Sequence, residues 1–327
     1  MEKTFNWGII GLGKIAQKFA EDLEKTPNST LHAVASRSIE KAKIFAQNNQ
    51  ASHAFGSYES LMKCPDLDAI YIATPHILHH SNALLCLQSK IPVLCEKPFA
   101  MNSQEVEGMI SAAKENDTFL MEAIWTRFLP TTRKILEVIQ NGTIGELVML
   151  KADFGFKAPY DLEGRLYNKN LGGGSLLDIG IYPLFLAQLL FGKPSEIKAF
   201  AQIGKTGVDE NCSMLLRFSN NQHAILDSTI LNDTPTVAYI YGTKGRIKIH
   251  RRWHESHSFT VFENGKNPHE ISFDFEGCRG YRYEAEEVMR CVRAGKKESE
   301  LLPLSFSKDL MELIDKVRSQ IGLQYSS

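Results

Sequence analysis

A short apolar strand at 7–10 runs straight into Gly11-x-Gly13-x-x-Ala16, and a helical pattern follows at once over 14–23. Each small residue there has a mechanical task. Gly11 permits the tight turn, Gly13 lets the backbone approach a pyrophosphate, and Ala16 lets the helix pack closely on the strand. The pyrophosphate then sits on the helix N-terminus, where free N–H groups and the dipole favour negative charge. With Leu12, Lys14 and Ile15 completing the turn, these residues form the candidate phosphate loop. Glycine turns also serve other α/β proteins. The strand–turn–helix setting is what makes dinucleotide binding the expectation.

Strand and helix keep alternating after the loop. Strands are predicted over 30–36, 52–55, 67–74, 92–95 and 118–125, and helices over 39–48, 58–63, 80–89 and 103–116. Within 67–74 the stretch 69–73 is continuously apolar, as a strand covered on both faces requires. The helix at 103–116 reads as opened by Ser103, a plain cap without a reciprocal glutamate. Such alternation means right-handed parallel crossovers and a doubly wound sheet, with ligands at the carboxyl ends of its strands.

Alternation fails after residue 125. A helix at 131–141, a strand at 147–156 and a glycine-rich stretch with one helix ending at 190 come next. Seven strand-like segments follow, at 197–203, 211–218, 223–231, 237–241, 246–250, 259–262 and 271–275, and then helices at 284–294 and 307–321. At 327 residues the chain exceeds what one hydrophobic core normally serves. The fold class expected is α/β: an N-terminal Rossmann doubly wound parallel sheet over 1–122, plus a C-terminal α+β domain with a large, mostly antiparallel open sheet over 123–327. The last helix packs back on the first domain in one version of this reading.

A formal net charge of −1 argues against nucleic acid and against a membrane surface. No 18-residue apolar run or signal peptide is read from the sequence, so no membrane partner is expected. The six cysteines (Cys64, Cys86, Cys95, Cys212, Cys278, Cys291) include no CxxC pair. They are read as reduced buried thiols of a cytoplasmic protein, neither disulfides nor metal ligands. The basic residues Lys244, Arg246, Lys248, Arg251 and Arg252 alternate on a strand and read as a solvated face.

The tip of the second strand reads Ser36-Arg37-Ser38, where an NAD-binding fold places an acid on the ribose 2′-hydroxyl. The nearest carboxylate, Glu40, lies inside the next helix. Arg37 can pair bidentately with a 2′-phosphate, Ser36 and Ser38 can donate to it, and Lys41 adds a point charge. NADP is therefore expected over NAD, against the simpler reading of Arg37 as a solvated strand-end charge.

Two further strand ends carry polar residues, Ala73-Thr74-Pro75-His76 with His79 beyond, and Cys95-Glu96-Lys97-Pro98. The histidines have no cysteine or carboxylate beside them, so no metal is expected. His76 and His79 either line the nicotinamide half of the cofactor or cap the following helix. Lys97 ends a buried strand, where a charge is costly without a task or a partner. Pro98 holds it extended. It suits a proton carrier during hydride transfer; an ion pair with Glu96 explains it equally well.

The segment 171–183 contains three glycines, which let a ligand or another backbone come close. Asp178 and Tyr182 are four apart and share a face if the segment is helical. Tyrosine titrates near 10, and a neighbouring ammonium lowers that. Against this, Ser175 and Asp178 can be a capping pair and Tyr182 a core aromatic. A helix starting at Pro183 would remove the shared face.

These motifs resemble the glucose–fructose oxidoreductase/inositol dehydrogenase (Gfo/Idh/MocA) family over essentially the whole chain. The stretches 122–130 and 178–182 look like its dimeric dihydrodiol dehydrogenase and NADP-dependent D-xylose dehydrogenase branch. The resemblance implies an oxidoreductase with a Rossmann domain, a homodimer formed through the C-terminal sheet, and a sugar or vicinal diol as substrate. It places Lys97 beside the nicotinamide and Tyr182, where inositol dehydrogenases usually carry histidine, as the acid/base. Asp178 matches the family aspartate. Trp125, Arg127, Phe154 and Arg165 fall near substrate or nicotinamide, and Trp253 closes the pocket. The mechanism expected from this match has Tyr182, its acidity raised by Lys97, take the proton of a hydroxyl held by Asp178. Rival readings are an NAD-linked inositol or amino-sugar dehydrogenase and a non-enzymatic dinucleotide-sensing regulator.

Overall fold

Trp7, Phe19 and Tyr71 form the aromatic centre around which the first sheet is built. A computed structural model of the chain describes residues 3–325. Helix α1 (Lys14–Glu24) buries Ala16, Phe19, Ala20 and Leu23, a stripe at helical spacing that faces the sheet. Phe19 stacks on Tyr71 with ring centroids 3.9 Å apart and meets Trp7 edge-on at 5.4 Å.

Six strands, β1 (Phe5–Ile10), β2 (Ser29–Ala35), β3 (His53–Phe55), β4 (Ala69–Ile72), β5 (Val93–Glu96) and β6 (Leu120–Ala123), make a parallel sheet in the order β3-β2-β1-β4-β5-β6. Helices α2 (Ile39–Asn48), α3 (Tyr58–Leu61), α4 (His79–Gln88) and α5 (Ser103–Glu115) connect them. The order reverses at β1, so the crevice for a ligand opens past the carboxyl ends of β1 and β4. Two strands are shorter than the apolar runs suggested. The run 67–74 pairs only over β4, and the stretch after β6 turns into a single 3₁₀ turn, Trp125–Arg127. The cap of α5 also differs: Asn102, not Ser103, accepts from the Glu105 backbone N–H, and Glu105 does reach back, to the N–H of Met101 at 3.0 Å.

The second sheet has eight strands: β7 (Leu147–Gly155), β8 (Glu196–Ile203), β9 (Asp209–Arg217), β10 (His223–Thr229), β11 (Ala238–Gly242), β12 (Gly245–Ile249), β13 (Ser258–Glu263) and β14 (His269–Ser272). Their order is β14-β13-β12-β11-β7-β10-β9-β8, and every neighbouring pair is antiparallel except β7 with β10. Side chains alternate across it. Ala199, Met214, Leu226, Ala152, Ala238 and Ile249 form one buried cross-strand row. On the opposite face Phe200, Leu215 and Ile225 are exposed. Helix α6 (Pro130–Gln140) precedes this sheet, and helix α7 (Ile181–Phe191) lies on β7 and β10.

The residues Lys169–Phe191 correct one sequence reading, since an 18-residue window there reaches a mean hydropathy of 1.5. That stretch is 83% buried inside the fold, as a core helix is.

Two compact units emerge. One takes the described residues through Phe128 together with Phe275–Lys308, and the other takes Leu129–Asp274 with the described residues from Asp309 onward. The single cut expected at 122/123 is thus replaced by three. The cause is visible in Asp22 of α1, buried, whose carboxylate accepts from the backbone N–H groups of Arg279, Gly280 and Tyr281 at 2.8–3.0 Å. It caps helix α8 (Tyr281–Arg293) from a distance and draws it into the first unit. Helix α9 (Leu304–Gln320) ends the chain's regular structure.

Candidate active site

In the first unit the loop after β1 is shaped by contact with the end of β4. Gly11 has φ +84°, and a Cβ there would stand 2.8 Å from the backbone of Ala73 and from Thr74 Cγ2. Only glycine satisfies both demands. Around Gly13 a Cβ would meet nothing within 4 Å, and no side chain caps the N-terminus of α1. Open space before uncapped N–H groups suits a pyrophosphate. Leu12 and Ala16 are buried beneath the turn, Ile15 is partly covered, and Lys14 is exposed.

At the tip of β2, Arg37 and Lys41 are exposed and Ser36 is buried. The Ser36 hydroxyl accepts from the Ser38 N–H at 3.3 Å. Ser38 is the N-cap of α2, accepting from Lys41 N–H, and its hydroxyl donates to Glu40 at 2.9 Å. The Ser38 hydroxyl proton is therefore already engaged, which leaves Arg37 and Lys41 as the charged groups for a phosphate.

The ends of β4 and β5 are tied together by His79, which is fully buried. Its Nδ1 lies 2.8 Å from Pro98 O and its Nε2 2.9 Å from Thr74 O, and Asn82 donates to Thr74 Oγ1 at 3.1 Å. His79 thus joins the two motifs from beneath, and His76 is buried beside it with ring centroids 5.7 Å apart. Burial holds the His79 pKa below the ordinary imidazole value. A neutral ring donates to one of its two carbonyls only. Glu96 accepts from the Tyr71 hydroxyl and from the Lys97 N–H at 3.2 Å. Lys97 is half-buried, and its bond to Pro98 is cis.

Glu122, at the end of β6, accepts from Phe99 N–H at 3.0 Å, two residues past Lys97. Burial pushes its pKa up to about 7. Sequence reasoning gave it no role, because a carboxylate inside an apolar strand has no local signature. Trp125 stacks on Tyr281 at 4.3 Å, and Arg127 Nε donates to Leu301 O at 2.7 Å. Both therefore have partners within the first unit.

In the second unit Tyr182 sits in an aromatic cluster. Its ring is 5.6 Å from Phe154 and 5.2 Å from His254, and those two stack at 4.1 Å. All three are buried. Trp253 is buried as well, and its indole N–H donates to Asp153 O at 2.8 Å, which ties it to β7. The residue facing Tyr182 from that turn is His254, which sequence reasoning passed over for its neighbour.

Asp178 lies in a single π-helical turn, Leu176–Gly180, that leads into α7. The helix does not start at Pro183; the wide turn passes ahead of a residue with no N–H to give. Arg165 grips Asp178 with both terminal nitrogens, at 2.6 and 3.2 Å. The alternative capping pair of Ser175 with Asp178 is not what forms. Ser175 Oγ donates instead to Asp209 at 2.7 Å, and the same Asp209 oxygen accepts from Leu176 N–H at 2.7 Å. Asp209 is fully buried, and its pKa is pushed up to about 6 by that burial. The glycine run serves the Arg165 loop: a Cβ on Gly173 would meet the carbonyl oxygens of Leu166, Arg165 and Asn168 at 2.7–2.9 Å. Another backbone, held that close, is what those glycines admit.

Comparison with known proteins identifies two family segments in the chain. Residues 5–124 match the oxidoreductase family with an NAD-binding Rossmann fold, and residues 132–248 match the GFO/IDH/MocA C-terminal domain. The chain is 40% identical over 334 residues to trans-1,2-dihydrobenzene-1,2-diol dehydrogenase of Danio rerio, covering 99% of this chain and 98% of that one. It is 36% identical to the Homo sapiens protein of the same name, covering 98% of each. Among solved structures, a 3-ketoreductase from Actinomadura kijaniata in complex with NADP and TDP-benzene superposes with TM-score 0.87 at 24% identity, covering 98% of both chains. Levoglucosan dehydrogenase, in complex with NADH and levoglucosan, superposes with TM-score 0.88 at 19% identity, covering 97% of each. The chain is an NAD(P)-binding oxidoreductase and belongs to the GFO/IDH/MocA family.

Proposed function

We propose that the protein is an NADP-dependent dehydrogenase acting on a secondary or hemiacetal hydroxyl of a sugar or vicinal diol. The observation that carries this reading is the setting of Tyr182, a phenol buried against Phe154 and His254 on a helix whose preceding turn holds Asp178. The loop from Gly11 to Ala16 would hold the pyrophosphate. Arg37 and Lys41 would hold the 2′-phosphate, and Ala73, Thr74, Pro75 and His76 would line the nicotinamide half together with Glu96. A bound dinucleotide would supply the hydride acceptor for the substrate carbon.

The chain's own residues supply the rest. In its phenolate form Tyr182 would accept the hydroxyl proton as the hydride leaves the carbon that bears it, so that the substrate oxygen becomes a carbonyl, and Lys97 is the positive charge that the first unit offers to this chemistry. Asp178 would accept a hydrogen bond from a second substrate hydroxyl. Phe154 and His254 offer flat apolar surface to a sugar face or an aromatic diol, and Trp125 and Arg127 stiffen the segment after β6. That the curated relatives are named dihydrodiol dehydrogenases supports the diol class.

A second copy of the chain is the proposed partner. Phe200 is 80% exposed, with Leu215 and Ile225 beside it on the open sheet face, a patch that a homodimer would cover. All six cysteines are free thiols, which suits the reducing cytoplasm.

The test is a screen of NADP⁺ reduction over aldoses, inositols and trans-dihydrodiols. Turnover of a diol or aldose supports the assignment. Activity confined to inositols with NAD⁺ would replace it with the inositol reading, and no turnover of any class would leave a dinucleotide-sensing protein.

A further inference from the structure

The edge of the first sheet gathers three side chains that the nucleotide chemistry does not use. His32 lies in the middle of β2, His53 opens β3, and Cys64 follows α3 in the turn that leads to β4. One ring nitrogen from each histidine and the Cys64 sulfur all lie within 4.8 Å of one another. The two imidazoles meet edge-on with centroids 4.8 Å apart.

Two details set this cluster apart from chance neighbours. His32 Nε2 is buried and has no hydrogen-bond partner, although buried polar atoms almost always find one. The Cys64 thiol is buried too, and its contact with a hydrogen-bond acceptor is a long one, 3.6 Å to Pro65 O. The donor set is informative in itself. Two imidazoles and a thiolate suit a borderline ion such as Zn²⁺ better than Mg²⁺ or Ca²⁺, which prefer oxygen. Zinc bonds of about 2.0–2.3 Å place tetrahedral donors about 3.3–3.8 Å apart. The three groups thus need to close by about 1 Å, and His53, which is exposed, is the ring with most room to move. A water can take the fourth position.

We propose that His32, His53 and Cys64 form a binding site for a divalent transition metal, zinc by the softness of its donors, that pins the three-residue edge strand β3 to β2 and to the turn before β4. Binding displaces the thiol proton, which passes to solvent, and forms one sulfur–metal and two nitrogen–metal bonds with no change of oxidation state. The three ligands come from separate segments with no CxxC or HxxxH spacing, so reading the cysteines along the chain gave no sign of them.

Co²⁺ titration of the full-length, chelator-stripped protein tests the site, because a cobalt–thiolate bond has a near-ultraviolet charge-transfer band. The expected result is one equivalent bound with that band, the band absent in Cys64→Ser, and Zn²⁺ raising Tm in the parent protein. His53→Ala, at an exposed position that leaves the fold intact, is expected to lose at least tenfold in Zn²⁺ affinity. No charge-transfer band in the parent protein, a band that survives Cys64→Ser, or equal Zn²⁺ affinity in His53→Ala would each overturn the assignment.

Discussion

Arg165 holds Asp178 in a two-pronged pair, with N–O distances of 2.6 and 3.2 Å, while the Asp178 side chain is only 9% exposed. The guanidinium fork therefore fixes the plane of the carboxylate that precedes Tyr182 by one turn. Arg165→Lys keeps the charge and loses the fork. Arg165 itself is half-exposed, so solvent screening limits the effect on stability to about 1 kcal/mol. The expected outcome in steady-state kinetics is a fall in kcat/KM of about tenfold with a small change in Tm, and a larger fall for Asp178→Ala.

His79 couples the ends of β4 and β5, and replacing it takes the donor from whichever of the two carbonyls its N–H serves. His79→Ala is expected to lose about 1–3 kcal/mol of stability and to weaken dinucleotide binding. Because the native pKa is depressed below the reference of 6.5, the unfolded chain takes up a proton first on acidification. The parent protein thus loses stability as pH falls below 6.5, and its advantage over His79→Ala should narrow there. Denaturant melts from pH 8 to pH 5 measure that gap.

Glu122 works in the opposite sense. Its native pKa of about 7 stands above the reference of 4.5, so the folded protein binds the extra proton between those values. Stability contributed by the protonated carboxyl is present at low pH and is lost as pH rises toward 7. That interval corresponds to about 3 kcal/mol. Glu122→Gln keeps an oxygen for Phe99 N–H and carries no titration. Its stability relative to the parent should rise by about that amount between pH 4.5 and 7.5 in urea melts.

The proposed preference for NADP rests on Arg37. Fluorescence titration should show NADPH binding at least tenfold tighter than NADH, about 1.4 kcal/mol, and Arg37→Ala should bring the two together. Equal affinities in the parent protein would remove Arg37 as a determinant of NADP preference, and tighter NADH binding would assign the cofactor to NAD.

The first sheet was legible because its determinants are local. The Gly11 turn, the apolar strands and the alternating helices each announce themselves within a dozen residues, and right-handed crossovers make a doubly wound parallel sheet of them. Strand ends were less legible, since residues flanking β4 stay apolar after pairing stops. What escaped notice depends on distant segments. Asp22 caps a helix more than two hundred and fifty residues away, Asp209 replaces Asp178 as the partner of Ser175, and His254 reaches Tyr182 from a turn after β12. The π turn before Pro183 arises where a proline would otherwise interrupt helical bonding, which spacing alone does not reveal.

The most direct measurement is single-turnover hydride transfer by Tyr182→Phe, with the dinucleotide Kd determined on the same preparation. A proton acceptor contributes about 10²–10⁴-fold, so the rate is expected to fall by that much while Kd stays within about twofold. A Tyr182→Phe protein that transfers hydride at the parental rate would contradict the assignment of Tyr182 as the acid/base.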